Sequence, residues 1–288
     1  MSNILITGSN GQLGSEIRDI SENYSDTFFF TDKEDLDITK KDNLEKYISE
    51  NNIDSIINCA AYTDVDKAED EQDLAYLING EAVKNLAEIS KKKNLKLVHI
   101  STDYVFDGKR YIPYSEDVKS TPIGAYGNSK LIGENTLLEV SPANSIVIRT
   151  SWLYSSFGNN FVKTILKYGK ERNELNVVFD QIGTPTYARD LAEAILDILP
   201  KIENSTPEIF HYSNEGAISW YDFAKEIVKM AKIDCQINPI ESFEYPTKTE
   251  RPFYSVLNKR KVKNQFQISI PYWKDSLRDC LVELGEKR

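Results

Sequence analysis

The sequence predicts a doubly wound α/β fold, in which a parallel sheet carries helices on both faces and a smaller region follows toward the C-terminus. Three observations predict it. Short apolar runs of strand length alternate with helical periodicity through the first half of the 288 residues. A glycine-rich turn separates the first such run from the first helix. The intervening segments are long enough for the right-handed crossovers that join parallel strands.

Ile4-Leu5-Ile6-Thr7 reads as a short buried strand, and Leu13, Ile17 and Ile20 then recur on one face of a helix. Residues 27–31 form a second strand, Leu44, Tyr47 and Ile48 mark a helix, and residues 53–59 form a third strand. One long helix is expected next, with Leu74, Leu77, Ile78, Ala82, Leu86 and Ile89 on its core face. Residues 95–101 make the fourth strand, 126–138 a helix and 145–150 the fifth strand.

The second half is less regular. Phe161, Ile165 and Leu166 suggest a helix, 175–179 a strand, and Leu191, Ile195 and Ile198 another helix. Trp220, Phe223, Ile227 and Met230 form a helix behind Ser219 as its N-cap. Trp273, Leu277, Leu281 and Leu284 form the last, with Gly285 as its stop. The proline-punctuated stretch 238–252 reads mainly as loop.

Composition excludes several functions. The net charge of −10 argues against a nucleic-acid or anionic-membrane partner, so an anionic ligand must be held by local donors. Cys59, Cys235 and Cys280 are too few and too scattered for a disulfide framework. His99 and His211 sit inside apolar runs as strand histidines with satisfied nitrogens, and no Cys/His pair has zinc-ligand spacing. A histidine-based triad and a zinc hydrolase are disfavoured. No signal-like segment precedes the first strand and no apolar run reaches spanning length, so a cytoplasmic location is expected.

Two motifs carry the chemistry. Gly8-Ser9-Asn10-Gly11-Gln12-Leu13-Gly14 follows the first strand and opens the first helix. Glycine permits a tight turn there and lets backbone N–H groups reach a pyrophosphate at the positive helix end. Asp32 closes the second strand near the offset where an acid takes the ribose hydroxyls of NAD, while Lys33 would tolerate a 2′-phosphate. Asp37 and Ile38 would border the adenine, and the small Ala60 and Ala61 would let the cofactor lie close to the backbone. These features make the sheet a Rossmann-type one and the C-terminal part a smaller substrate-binding domain. The expected division is 1–150 for the dinucleotide, completed by parts of 173–213, and 151–288 mainly for substrate.

The second motif is Y-x-x-x-K, which occurs twice, at Tyr126/Lys130 and Tyr221/Lys225. With 16 tyrosines in the chain the pattern alone proves nothing. Context separates the two, because Tyr126 and Lys130 start the helix before the fifth strand, with Thr102 at the carboxyl end of the fourth. Tyr221 and Lys225 read as solvent-facing helix residues. A four-residue offset puts phenol and ammonium on one helix face. Tyrosine titrates near about 10 unperturbed. An ammonium about 4–5 Å away, at an effective dielectric of about 20, would favour phenolate by roughly 3–4 kcal/mol. The expectation is that Lys130 brings Tyr126 toward working pH, with Thr102 donating to the reacting oxygen.

With these segments the sequence resembles the extended short-chain dehydrogenase/reductases. The matches run in family order over nearly the whole chain: GSNGQLG at 8–14, NCAAYTDVDKAE at 58–69, STDYVFDG at 101–108, YGNSK at 126–130, RTSWLY at 149–154, GNNF at 158–161 and RP at 251–252. The resemblance implies reduction of the 4-keto group of a nucleotide sugar, dTDP-4-dehydro-L-rhamnose, by NADPH or NADH. It implies catalytic roles for Tyr126, Lys130 and Thr102, and sugar contacts at Thr102, Asp103 and Trp152. It places the cofactor on Gly8, Gly11, Gln12, Leu13, Gly14, Asp32, Asp37, Ile38, Ala61, Tyr62 and Thr63, together with Tyr126 and Lys130. Some relatives use Mg2+, for which Glu16 and Glu283 are the available acids, although both read as solvated helix-surface residues. A homodimer is compatible with the resemblance. Related 4,6-dehydratases carry Thr-Asp-Glu after the fourth strand, whereas Thr102-Asp103-Tyr104 here lacks the glutamate, which argues against dehydration. A reductase or epimerase of another nucleotide sugar and a non-catalytic NADP-binding regulatory subunit stay open as alternatives.

Overall fold

In this computed structural model, which describes residues 1–286, the first apolar run forms β1 (Asn3–Thr7), with Ile4, Leu5 and Ile6 buried. A strand covered on both faces needs no polar alternation, hence its unbroken apolar run. α1 (Gln12–Ile20) buries Leu13, Ile17 and Ile20 as its spacing requires. β2 (Thr27–Thr31), α2 (Lys41–Glu50) and β3 (Ser55–Asn58) follow.

The next segment departs from the expected single helix. It consists of α3 (Gln72–Tyr76), a π-helical stretch at Leu77–Glu81 and α4 (Ala82–Lys93). A π turn takes up an extra residue and rotates the face that follows it. Val83, Leu86 and Ile89 therefore stay in the core, whereas Leu74 and Leu77 are 40% and 43% exposed.

The chain continues through β4 (Lys96–Thr102), α5 (Ala125–Val140), β5 (Ser145–Thr150) and β6 (Leu153–Tyr154). Then come α6 (Phe161–Glu171), β7 (Glu174–Val178), β8 (Ile182–Gly183), β9 (Thr186–Tyr187), α7 (Ala188–Ile198) and β10 (Glu208–His211). β11 (Ile218–Ser219), α8 (Trp220–Met230), β12 (Gln236–Ile240), α9 (Arg260–Phe266) and α10 (Trp273–Glu283) complete it. Ser219 caps α8 in a reciprocal box with Asp222, and Gly285 follows α10 at φ +75°.

The main sheet has the order β10-β5-β4-β3-β1-β2, and every pairing is parallel. One face packs on α1 and α7, through residues such as Ile17, Leu191 and Ile195. The other is covered by α2, α4 and α5, through Leu44, Leu86 and Leu137. A separate core joins α6, α8 and α10 around Phe223, Ile227 and Leu277. β12 takes the first three residues of the mainly loop segment expected at 238–252 into a strand: it pairs in parallel with β7 alone, and Pro239 is tolerated because an edge strand leaves one side of its backbone unpaired. No helix among the described residues is long and apolar enough to cross a membrane.

Strand order reverses between β1 and β3, and open α/β sheets bind ligands in the crevice outside the carboxyl ends at such a point.

Candidate active site

A crevice of about 770 Å³ opens there, lined by the glycine-rich turn, the ends of β2 to β5 and the segment 150–159. Gly8 has φ +64°, and a Cβ on it would stand 2.6 Å from the Ala60 backbone. Only glycine lets β1 and the end of β3 approach so closely. Gly11 occupies the N-cap of α1 without a side-chain cap, which leaves first-turn N–H groups for an anion. At the end of β2, the Asp32 carboxylate accepts from the backbone N–H of Asn10 at 3.0 Å and of Lys33 at 2.7 Å. Asp37 accepts from the Thr39 N–H and hydroxyl at 2.9 and 2.7 Å. A glycine cradle, an uncapped helix start and an acid at the second strand end fit a dinucleotide.

Tyr126 and Lys130, one helical turn apart on α5, meet Thr102 and Asp103 from the end of β4 on the crevice floor. All four are buried. The Lys130 Nζ donates to the Ile100 carbonyl at 2.6 Å. The Thr102 hydroxyl donates to Asp103 at 3.1 Å and accepts from the Tyr104 N–H at 3.2 Å. The Tyr104 ring meets the Tyr126 ring edge-on at 5.6 Å.

Burial dominates the electrostatics. It pulls the Lys130 ammonium down to about 8, against Glu134 and Cys59, which raise it. Burial pushes the Tyr126 phenol up; the hydrogen bond with Thr102 opposes this, and Asp103 and Tyr104 add to it. The expectation that Lys130 would acidify the phenol is therefore corrected. Burial of the floor dominates, and the Lys130 ammonium, which donates to the Ile100 carbonyl, is not among the groups that shift the phenol. Asp103 is likewise raised, to about 6, by burial, while hydrogen bonds from Ser255 and Thr102 favour its carboxylate.

Beneath the floor, Glu134 lies one turn beyond Lys130, fully buried. It accepts from Arg149 Nε at 2.9 Å and Nη2 at 2.6 Å, and from the Ser101 hydroxyl at 2.5 Å. Asn79, in the π-helical stretch, ties the Tyr62 backbone to α5: its Oδ1 accepts from the Tyr62 N–H, and its amide donates to the Tyr62 carbonyl and to Ser129. His99 bonds Asn58 through Nδ1 at 3.0 Å, while its Nε2 has no partner among the described residues, so only half of that ring is satisfied. His211 bonds the Tyr114 carbonyl and Arg149. Burial holds both rings neutral, His211 down at about 3.

The crevice brings together Gly8, Gly11, Gln12, Leu13, Gly14, Asp32, Asp37, Ile38, Ala61, Thr63, Thr102, Asp103, Tyr126, Lys130 and Trp152. Tyr62 is the exception among the expected contacts: its hydroxyl donates to Glu71 at 2.8 Å and its side chain does not line the crevice. The Tyr221/Lys225 pair lies away from it as well. Sequence reasoning missed Leu74, Leu77 and Ile78, which line the crevice from the helix that was assigned wholly to the core. It also gave no role to Gly158 and Asn159 on the crevice wall, although the GNNF match held a signal. Arg251 of the RP match pairs with Asp66 at 2.7 Å and reaches the Tyr104 hydroxyl, fastening the C-terminal region to the loop after β3.

Glu16 does not lie on a solvated surface. It is fully buried, accepts from the Ser155 hydroxyl at 2.5 Å and faces Arg189 at 3.8 Å. Burial raises its pKa. A guanidinium already balances this acid and Glu283 is exposed, so the residues do not fit a magnesium site. Among the described residues no group of three or more His, Cys, Asp or Glu side chains is arranged to hold a metal ion.

Comparison with known proteins adds to this geometry. The sequence model for the RmlD substrate binding domain matches residues 1–286. The spore coat polysaccharide biosynthesis protein SpsK of Bacillus subtilis (strain 168) is 40% identical over 284 residues, covering 98% of each chain. The dTDP-4-dehydrorhamnose reductase of Aggregatibacter actinomycetemcomitans is 40% identical over 289 residues, covering 97% of this chain and 98% of the relative. The crystal structure of dTDP-4-dehydrorhamnose reductase from Bacillus anthracis str. Ames, in complex with NADP, superposes with a TM-score of 0.92. It is 40% identical and covers 98% of this chain and 99% of that one.

Proposed function

The chain belongs to the RmlD substrate binding domain family, and from that membership we propose a reaction for its crevice: NAD(P)H-dependent reduction of the 4-keto group of dTDP-4-dehydro-L-rhamnose to dTDP-L-rhamnose. The protein is an oxidoreductase of nucleotide-sugar biosynthesis. The observation that carries this is the convergence of Tyr126, Lys130 and Thr102 on the floor of a dinucleotide-shaped crevice.

The reduced nicotinamide supplies the hydride when bound. Tyr126 enters the reaction as a neutral phenol, held so by burial, and passes its proton to the oxygen that becomes negative at C4. Its help is realised only as that charge develops, which is the kind of interaction that raises turnover. Thr102 donates a second hydrogen bond to the same oxygen. Lys130, anchored on the Ile100 carbonyl, holds the nicotinamide ribose. Gly8 to Gly14 cradle the pyrophosphate, and Asp32 with Lys33 receives the adenosine ribose. Asp37, Ile38, Ala61 and Thr63 border the rest of the cofactor. Asp103 and Trp152 hold the sugar. Residues 1–150, with β10, form the cofactor-binding unit, and most of 151–288 receives the nucleotide sugar.

Purified protein given NADPH or NADH should consume it only when dTDP-4-dehydro-L-rhamnose is added, and should yield dTDP-L-rhamnose. Equal or faster consumption with another 4-keto nucleotide sugar in a panel would reassign the substrate. No consumption with any of them would refute the enzyme reading.

A further inference from the structure

We propose that Trp220 is a positioning residue that holds the Trp152 indole against the sugar end of the crevice; this rests on the reading of Trp152 as a sugar contact. Trp152 lines the crevice, yet its backbone sits at φ +47°, in the left-handed region that residues with a Cβ avoid. Strain of this kind persists only where the surroundings over-determine it, and it collects at ligand sites. The backbone on both sides is tied down. The Ser151 hydroxyl donates to the Thr184 carbonyl at 2.7 Å, and the Thr186 N–H donates to the Trp152 carbonyl at 3.1 Å.

The side chain is held by two elements of the C-terminal region. Gly183 lies so close that a Cβ there would stand 2.5 Å from the indole. The Trp220 ring stacks on it with centroids 3.5 Å apart and planes 10° from parallel. These two contacts are coupled, because β11 pairs with β8 through Ile218–Gly183 and Ser219–Ile182. The Ser219–Asp222 box then fixes the first turn of α8, where Trp220 stands. Phe161 braces Trp220 from α6, with centroids 4.6 Å apart. Trp220 does not itself line the crevice, so it acts through Trp152. An indole fixed in this way gives the crevice a rigid apolar wall, with little rotamer freedom to lose on binding.

The test compares Trp220→Ala, Trp220→Phe, Trp152→Ala and the Trp152→Ala/Trp220→Ala pair with the unaltered enzyme. Readouts are KM and kcat for the sugar nucleotide, NADPH affinity, and the exciton couplet that two stacked indoles give in circular dichroism. Trp220→Ala should abolish the couplet and leave NADPH affinity within about twofold. It should raise KM about tenfold with a smaller fall in kcat, the scale expected when a positioned group is displaced. Trp220→Phe, which keeps a stacking ring, should return KM close to the starting value. The double variant should be no worse than Trp152→Ala, because one residue acts through the other. A folded Trp220→Ala enzyme without the couplet but with unchanged KM would overturn the proposal, provided Trp152→Ala raises KM. Unchanged KM in Trp152→Ala overturns the sugar-contact reading itself and this proposal with it. Should Trp220→Ala not fold, Trp220→Leu, which fills much of the space without stacking, serves the same comparison.

Discussion

Under the proposed reaction Tyr126 meets the substrate protonated, because burial raises its pKa, and burial also lowers Lys130, one turn along the helix, to about 8. A reductive proton donor has to begin with its proton, so the dry floor prepares the reacting state. Tyr126→Phe should lower kcat by about 10²- to 10⁴-fold, the usual contribution of a general acid. Its NADPH affinity should stay near that of the unaltered enzyme; a loss below tenfold in stopped-flow turnover would remove Tyr126 from the mechanism. Because kcat/KM reports the free enzyme, it should fall above a pH of about 8 as Lys130 loses its proton, and Lys130→Met should abolish that limb. Stability has the opposite dependence in part of this range. Below its folded pKa the buried Lys130 ammonium is a cost, and between about 8 and the ordinary lysine value of 10.5 the unfolded chain binds more protons, so stability attributable to this group rises with pH. Asp103 runs the other way. Its pKa is raised from 3.8 to about 6, the folded protein binds more protons across that interval, and stability falls as pH rises through it. Denaturant midpoints of Asp103→Asn should lack that fall. The motif spacing revealed which residues meet, but not the direction of these shifts, because burial depends on how the sheet and its helices close over the floor.

Elements of regular period were legible, and the departures have identifiable causes. β1 and α1 followed from local pattern because one is buried on both faces and the other on one. Leu74 and Leu77 were misassigned because an apolar residue in a helix reads as core unless the period breaks, and the π-helical stretch breaks it at Leu77–Glu81. β12 was missed because Pro239 argues against a strand unless that strand lies at an edge, which is a property of the sheet. Two elements invite direct tests. Gly8→Ala would set a Cβ against the Ala60 backbone at a positive φ, so calorimetry should find NADPH binding lost or weakened at least tenfold with a lowered melting temperature. Arg149→Ala would leave Glu134 buried without its guanidinium between β5 and α5, at a cost of roughly 3–5 kcal/mol in urea unfolding. A loss under about 1 kcal/mol would mean that α5 does not depend on this pair.

At the scale of the whole molecule, the ends of a parallel sheet and the segment after β5 frame one crevice, which the proposed function makes a reaction chamber. The glycine-turn side of the crevice was largely readable, because its glycines, Asp32 and the small residues after β3 each follow directly from a strand end. The cover was not. Trp152 was expected at the sugar and Gly158 and Asn159 stood in a matched segment, but the Trp220 ring behind Trp152 is a contact between segments far apart in sequence, which no local spacing records. Glu16 shows the same limit, since its burial under Ser155 and Arg189 depends on the second half of the chain closing over α1. The central claim is that this chamber delivers a hydride to C4 of a dTDP-linked 4-keto sugar while Tyr126 supplies the proton. The most direct measurement is transfer from NADPH deuterated at the reacting position of the nicotinamide, with the product read by nuclear magnetic resonance. Deuterium is expected at C4 of the product sugar, appearing about 10²- to 10⁴-fold more slowly when Tyr126→Phe replaces the enzyme. Product without deuterium, or with deuterium at any other carbon, would contradict it.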